Sequence, residues 1–205
     1  MGIYLNPDNV NFKETLRTEI YVDKTMMIQT MNHFIDTGNK FICVSRPRRF
    51  GKTIAQNMLA AYYSKGCDSR EMFAPLKIGK SEEFGRNLNR FNVIIIDLNS
   101  EYQNTNDKEH LIEILSNKIK KEMRREYPQA DIPDEYSLAE SILEIYSVTG
   151  KAFVILIDEY DVLVREQASE DLFASYLSFL NGLFKSNTVR QADIACVYHG
   201  HTAGC

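Results

Sequence analysis

Three short, largely apolar runs stand out along the chain, and each is followed by polar residues. They cover residues 41–44, 92–98 and 152–157. Runs of this length are typical of strands that are buried on both faces, and they are too short for buried helices. The pattern therefore predicts three interior strands.

Apolar residues recur at helical spacing in the segments between and beside these strands. Gly38 and Gly150 are stop signals at helix ends, and a linker from Pro128 to Pro133 separates two of the helical segments. Strands that alternate with helices predict an α/β fold with a parallel sheet covered on both faces. The predicted helices cover residues 24–37, 53–64, 108–127, 137–149 and 169–184.

The tripeptide Gly51-Lys52-Thr53 lies between the first predicted strand and the helix that follows it. In a phosphate-binding loop, backbone N–H groups surround the phosphates, the Lys reaches the β and γ phosphates, and the Thr binds Mg²⁺. A capped helix start with a solvated lysine explains an isolated tripeptide as well, but the flanking strand and helix favour the loop. Arg46 stands where the usual motif begins with Gly. The candidate nucleotide-binding residues are Arg48, Arg49, Phe50, Gly51, Lys52, Thr53 and Ile54.

An acidic pair, Asp158-Glu159, directly follows the third predicted strand. A carboxylate at such a strand end can order a magnesium ion, and a following Glu can orient and polarise an attacking water. An ordinary exit from a strand into a loop also explains an isolated acidic pair. Together with the loop, the pair predicts a Mg²⁺ site formed by Thr53 and Asp158, with Glu159 and Lys52 as catalytic residues.

Composition and charge exclude several classes of protein. The chain is 44% hydrophobic and 25% charged, with a formal net charge of -4, so it has no overall basic field for nucleic acid. Its apolar runs are far too short to cross a bilayer, which predicts no membrane partner. The four cysteines show no close repeated pairing, and we expect a cytoplasmic protein.

Three segments of the chain match one known pattern together: Tyr21-Val22-Asp23-Lys24-Thr25, Ser45-Arg46-Pro47-Arg48-Arg49-Phe50-Gly51-Lys52-Thr53 and Leu156-Ile157-Asp158-Glu159-Tyr160-Asp161. With these segments, the chain resembles the bacterial AAA-ATPase-like family over about residues 2–190. The resemblance implies a three-layer P-loop NTPase fold of the AAA/ASCE-like kind, with a mostly parallel central sheet that is incomplete at the C-terminus. It also implies ATP and Mg²⁺ as ligands. Members of this family typically join an ATPase domain to a domain similar to PD-(D/E)XK nucleases, and only that second domain would bring a nucleic-acid partner.

Several residues in these segments have two interpretations. Residues 21–24 lie near the adenine and ribose, or they form a surface turn before a helix. Asp161 is a site carboxylate, or a solvated or N-terminal helix charge. Arg46, Arg48 and Arg49 surround the phosphates, bind an acidic partner or nucleic acid, or are solvated charges around a tight loop.

The end of the sequence departs from the family pattern, so we assign residues 1–190 to a partial P-loop domain and residues 191–205 to a non-family tail. Codons exist for residues 193–205 that, read one base later, encode a segment similar to the family's next strand, which predicts a frame-shifted tail. Residues 194–198 are still apolar enough to lie between the loop strand and the acidic strand, with His199 near the usual sensor position.

The tail also contains four residues of the types that bind zinc, at a spacing that matches no closed structural zinc site: Cys196, His199, His201 and Cys205.

These features predict an ATP-binding domain, a truncated ATPase whose full-length relatives hydrolyse ATP with Mg²⁺. We expect weak or absent hydrolysis by this chain. The alternative is a non-catalytic module in which the bound nucleotide sets a surface for a protein partner or for self-association. A small-molecule kinase is a weaker alternative, because transfer to another substrate does not require the water-directing Glu159.

Overall fold

A small parallel β-sheet is the centre of this α/β chain. The computed structural model describes residues 2–35, 37–45, 50–185 and 195–200, with backbone only for residues 45 and 195–200. The strands are β1 (Phe41–Ser45), β2 (Asn92–Asp97), β3 (Phe153–Asp158) and β4 (Ala195–Gly200). They pair in parallel in the order β1-β4-β3-β2. The three predicted strands are confirmed, and β4 takes the place between β1 and β3 that was predicted for residues 194–198.

The five predicted helices are present within a few residues of their predicted ends. Four shorter helices and a 3-10 helix were not predicted, because elements of four to seven residues are too short to show a helical period. No helix within the described ranges is long and apolar enough to span a bilayer. The helices are α1 (Val10–Leu16), α2 (Met26–Ile35), α3 (Lys52–Tyr63), α4 (Arg70–Phe73), the 3-10 helix (Lys77–Lys80), α5 (Leu98–Asn104), α6 (Leu111–Glu126), α7 (Leu138–Thr149), α8 (Val162–Arg165) and α9 (Glu170–Phe184).

Helix α5 corrects the predicted end of the second strand. Leu98 was assigned to that strand, but it is the first residue of α5. Asp97 is the N-cap, and its carboxylate accepts a hydrogen bond of 2.9 Å from the Ser100 amide. A capping carboxylate satisfies an amide that the first helical turn leaves without a partner, so the chain turns into a helix directly after the strand.

Alternation along β3 divides the core between the two faces of the sheet. Phe153, Ile155 and Ile157 pack with residues of α6, α7 and α9. Val154 and Leu156 pack on the other face, with residues of α2 and α3. Side chains two residues apart share a face of a strand. Asp158, the last residue of β3, therefore belongs to the face that carries α3.

The N-terminal segment covers the outer edge of β2. The Asn6 amide donates to the Val93 carbonyl at 2.7 Å, and the Ile95 amide donates to the Tyr4 carbonyl at 2.9 Å. An uncovered strand edge exposes unpaired backbone groups, which favour aggregation. These contacts protect the edge that would otherwise end the sheet.

One carboxylate on α6 holds this segment in place. Glu122 accepts hydrogen bonds from the successive amides of Ile3, Tyr4 and Leu5, at 2.8, 2.9 and 2.8 Å. Hydrogen bonds to an ionised carboxylate are roughly twice as strong as neutral ones. Glu122 therefore links the N-terminal segment, and through it β2, to α6.

We expect Glu122→Gln to destabilise the protein by about 2 kcal/mol, because the amide offers one acceptor and turns an NH₂ donor toward backbone donors. Urea unfolding followed by circular dichroism measures this change. Glu135→Gln is the matched control, since Glu135 is an exposed residue in a loop. An equal effect of the two substitutions would contradict the proposed link.

Candidate functional site

The start of α3 and the end of β3 are joined by a direct hydrogen bond. The Thr53 hydroxyl donates to Asp158 Oδ2 at 2.9 Å. The two residues are 105 positions apart in sequence, and they meet because Asp158 lies on the α3 face of the sheet. Thr53 and Asp158, the two residues predicted to bind a metal, thus present their oxygen atoms side by side.

A second contact fixes α3 to the sheet one turn further along. Gln56 is buried, and its amide lies 3.3 Å from the Leu156 carbonyl and 3.4 Å from the Ile96 carbonyl. Residues three apart lie on the same side of a helix, so Thr53 and Gln56 both face the strands. Together they hold the N-terminal end of α3 against the carboxyl ends of β2 and β3.

Gly51 begins this helix in a left-handed backbone conformation, with φ 74° and ψ 34°. Glycine adopts this conformation without the strain that a side chain would add. Lys52 is the first helical residue and Thr53 the second. Arg48 and Arg49, which were predicted to contact the nucleotide, lie outside the described residues, as does Arg46.

Asp158 is an almost fully buried carboxyl group, with 4% of the residue exposed. Burial raises its pKa above the usual value, and the nearby charges of Asp97 and Glu159 raise it further. The Thr53 hydroxyl and the Glu159 amide, which donates to Oδ1 at 3.0 Å, act in the opposite direction. A dehydrated carboxylate with a raised pKa gains from a nearby cation.

Asp97 is a second carboxylate at this edge, and it was not among the predicted site residues. It pairs in register with Asp158 at the ends of β2 and β3. It lies within the largely apolar run 92–98, whose pattern predicts a buried strand. The single charged residue in that run was the available signal, since a charge is rare inside a buried strand.

Glu159 is held by an arginine that the sequence analysis also missed. Its backbone has a positive φ of 53°, uncommon for a residue with a side chain. Arg165 Nη2 on α8 lies 2.8 Å from Glu159 Oε2 and 3.3 Å from Asn99 Oδ1 on α5. The predicted catalytic carboxylate is therefore engaged by an ion pair. No sequence pattern marked Arg165, because α8 has only four residues.

Asp161 is the N-cap residue of α8, and its carbonyl accepts a hydrogen bond of 3.1 Å from the Val164 amide. This placement agrees with the interpretation as an N-terminal helix charge.

His199 pairs in register with Asp158 through β4, and its side chain lies outside the described part of the chain. The Cys196 side chain, His201 and Cys205 also lie outside it, which leaves the zinc alternative untested.

A cavity of about 520 Å³ lies beside Gly51. Its volume falls in the range of about 300–1,000 Å³ that is common for small-molecule sites. Two of the large apolar side chains that line it, Phe50 and Ile54, are 56% and 44% exposed and so are open to a ligand. The lining residues are Thr15, Thr18, Ile20, Tyr21, Val22, Lys24, Phe50, Gly51, Ile54, Ala55 and Met58.

Both interpretations of residues 21–24 find support in this arrangement. Tyr21, Val22 and Lys24 line the cavity next to the loop. Asp23 instead accepts hydrogen bonds from the Thr25 hydroxyl at 2.6 Å and from the Lys77 amide at 2.8 Å. Burial alone would raise the pKa of Asp23, but these hydrogen bonds hold it below the usual value. Asp23 thus fastens the turn before α2 to the 3-10 helix.

The oxygen atoms of the site fit a magnesium ion. Mg²⁺ prefers oxygen ligands and is usually held by one or two carboxylates, with waters and phosphate oxygens completing the shell. Thr53 and Asp158 offer a hydroxyl and a carboxylate. Across the described side chains, no group of three or more His, Cys, Asp and Glu residues forms a metal site of its own. A cation here would need a ligand such as phosphate.

A comparison with protein families adds an independent finding. A family model described as a predicted AAA-ATPase matches residues 10–197. The match extends into β4, beyond residue 190, where the sequence analysis placed the end of the resemblance. A search of curated proteins finds no match.

We expect Asp158→Asn to stabilise the protein at neutral pH. Because the pKa of Asp158 is higher in the folded chain than in the unfolded chain, ionisation opposes folding, and stability is lost as the pH rises through the folded pKa. Asn retains an acceptor for the Glu159 amide, and its NH₂ group can donate to the Thr53 hydroxyl. The advantage of the variant should vanish below the ordinary Asp pKa of 3.8.

Urea unfolding of both proteins between pH 3 and pH 8 measures this dependence. A variant that is less stable than the original protein at pH 7 would contradict the burial argument.

Proposed function

This chain belongs to the AAA-ATPase-like family, and from that membership we propose that it binds ATP together with Mg²⁺ at the edge formed by α3 and β3. One observation carries the proposal: the Thr53 hydroxyl and the buried Asp158 carboxylate meet at 2.9 Å beside the first residue of a helix. Phosphates bind well at such a position, because backbone N–H groups and the helix dipole both favour anions. The apolar cavity beside Gly51 has room for the base.

We assign roles to the loop residues on this basis. Lys52 contacts the β and γ phosphates, and the backbone of Gly51 lies against them. Thr53 binds Mg²⁺ directly, and Asp158 binds it through a water. Phe50 and Ile54 form part of the wall for the adenine ring, and Arg48 and Arg49 contact the phosphates. The raised pKa of Asp158 suits this role, since the metal compensates a buried negative charge.

The fold that accompanies this proposal is the three-layer P-loop NTPase arrangement. Helices pack on both faces of the parallel sheet. The strand that leads into the loop and the strand that ends in Asp158 are separated by β4. Ligands of open α/β sheets bind at the carboxyl ends of the strands, which is where Thr53 and Asp158 meet.

Removing the lysine charge tests the binding site. We expect isothermal titration with Mg-ATP to show binding that Lys52→Ala weakens at least about 100-fold, because two charge-assisted contacts to phosphate are lost. Lys121→Ala on the exposed surface of α6 is the matched control and should bind as the original protein does. Equal affinity of the Lys52 variant would refute the site assignment.

The second candidate function is a nucleotide-dependent interaction module without turnover. The ion pair between Arg165 and Glu159 favours it, because a carboxylate whose Oε2 is engaged by a guanidinium at 2.8 Å is not free to orient a water. In this alternative the nucleotide acts through the surface around the site. A measurement of ATP hydrolysis distinguishes the two candidate functions, because only an ATPase turns ATP over.

For the hydrolytic candidate, we expect Glu159→Gln to keep Mg-ATP affinity within about twofold and to lower turnover by roughly 100-fold or more, since the amide cannot accept a proton from water. Phosphate release under saturating Mg-ATP measures the rate. No turnover by the original protein, with binding intact, would instead establish the interaction module. Turnover that the substitution leaves unchanged would remove Glu159 from the mechanism.

A further inference from the structure

A second lysine lies at the loop, on a different element from Lys52. Lys24 belongs to the turn before α2, and its ammonium group donates to the Phe50 carbonyl at 3.2 Å. A methyl group built on Gly51 would lie 3.6 Å from the same nitrogen. Lys24 is exposed and lines the cavity. Its positive charge therefore lies between the apolar cavity and the start of α3.

The backbone of Lys24 is fastened on both sides. Asp23 accepts hydrogen bonds from the amides of Thr25, at 2.9 Å, and of Lys77, at 2.8 Å. Thr25 is buried, and its hydroxyl accepts from the Ile78 amide at 3.1 Å. A cation on a fixed backbone loses less freedom when it binds than a cation on a mobile loop. The backbone of Lys24 is thus held in place, which favours a role in binding.

We propose that Lys24 is a phosphate-binding residue that contacts the α-phosphate of the nucleotide. The inference rests on the proposed function. With the base in the apolar cavity and the β and γ phosphates at Lys52 and Thr53, the α-phosphate lies between these two regions, next to Gly51. Within the described part of the chain, Lys24 is the cation that lines the cavity at this point.

The contact with Phe50 is compatible with this role. An ammonium group has three N–H donors, so Lys24 can keep the Phe50 carbonyl and also donate to a phosphate oxygen. The same side chain would then bridge the loop and the nucleotide. A ligand that carries no α-phosphate gains nothing from it.

The test compares four ligands on the full chain: Mg-ATP, Mg-ADP, AMP and adenosine. We expect Lys24→Met, which removes the charge and keeps most of the length of the side chain, to weaken binding of Mg-ATP and Mg-ADP by the same factor of roughly tenfold. AMP should be weakened by a similar factor, and adenosine should be unaffected. Isothermal titration measures the two Mg-nucleotides, and NMR titration measures the two weaker ligands.

Two further variants separate charge from structure. Lys24→Arg should bind within about threefold of the original protein, because it keeps the positive charge. Lys24→Gln should behave as Lys24→Met does, because both variants lack that charge. Thermal unfolding of each variant without nucleotide shows whether the fold is retained. An adenosine affinity that falls together with the others would assign Lys24 a structural role and overturn the proposal.

The remaining outcomes are equally decisive. Unchanged affinities in Lys24→Met and Lys24→Gln would exclude a phosphate contact. A loss for Mg-ATP that clearly exceeds the loss for Mg-ADP would place Lys24 at the γ-phosphate and overturn the assignment to the α-phosphate. Failure of the original protein to bind any nucleotide would refute the proposed function itself, and the inference about Lys24 would fall with it.

Discussion

The hydrogen bond between Thr53 and Asp158 is the contact on which the arrangement of the site depends. A buried carboxylate costs free energy unless it has partners, and Asp158 has two donors, the Thr53 hydroxyl and the Glu159 amide. Because one of these donors belongs to α3, satisfying the carboxylate also fixes the helix start against the sheet. Gln56 adds a second attachment through the carbonyls of β2 and β3.

Hydrogen bonds outside the site also hold the sheet in place. Glu122 gathers three successive amides of the N-terminal segment, and that segment covers the edge of β2. Asn6 and Asn92 both bond to the hydroxyl of the buried Tyr127. The strand that carries Asp97 to the site is thus held by hydrogen bonds at its outer edge, in addition to the apolar packing that β2 and β3 both have on the two faces of the sheet.

Sequence patterns predicted the elements with a clear period or a known motif. The long helices, the buried strands and the meeting of Thr53 with Asp158 all followed from apolar runs and from the loop chemistry at their ends. Asp97, Asn99 and Arg165 were missed because their importance arises from contacts between elements that are distant in sequence. The ion pair of Arg165 with Glu159 depends on how α8 turns back after β3, and a four-residue helix leaves no periodic signal.

The strand order has a consequence for the order in which the protein assembles during synthesis. β1 pairs with β4, and β4 pairs with β3, so the strand before the loop has no ladder to the strand that ends in Asp158 until residues 195–200 have been made. Pairing across such a separation is slow, because a long loop must close first. The two parts of the sheet therefore join late. When synthesis on the ribosome has passed Asp158 but has not reached β4, β1 is not yet paired with the rest of the sheet.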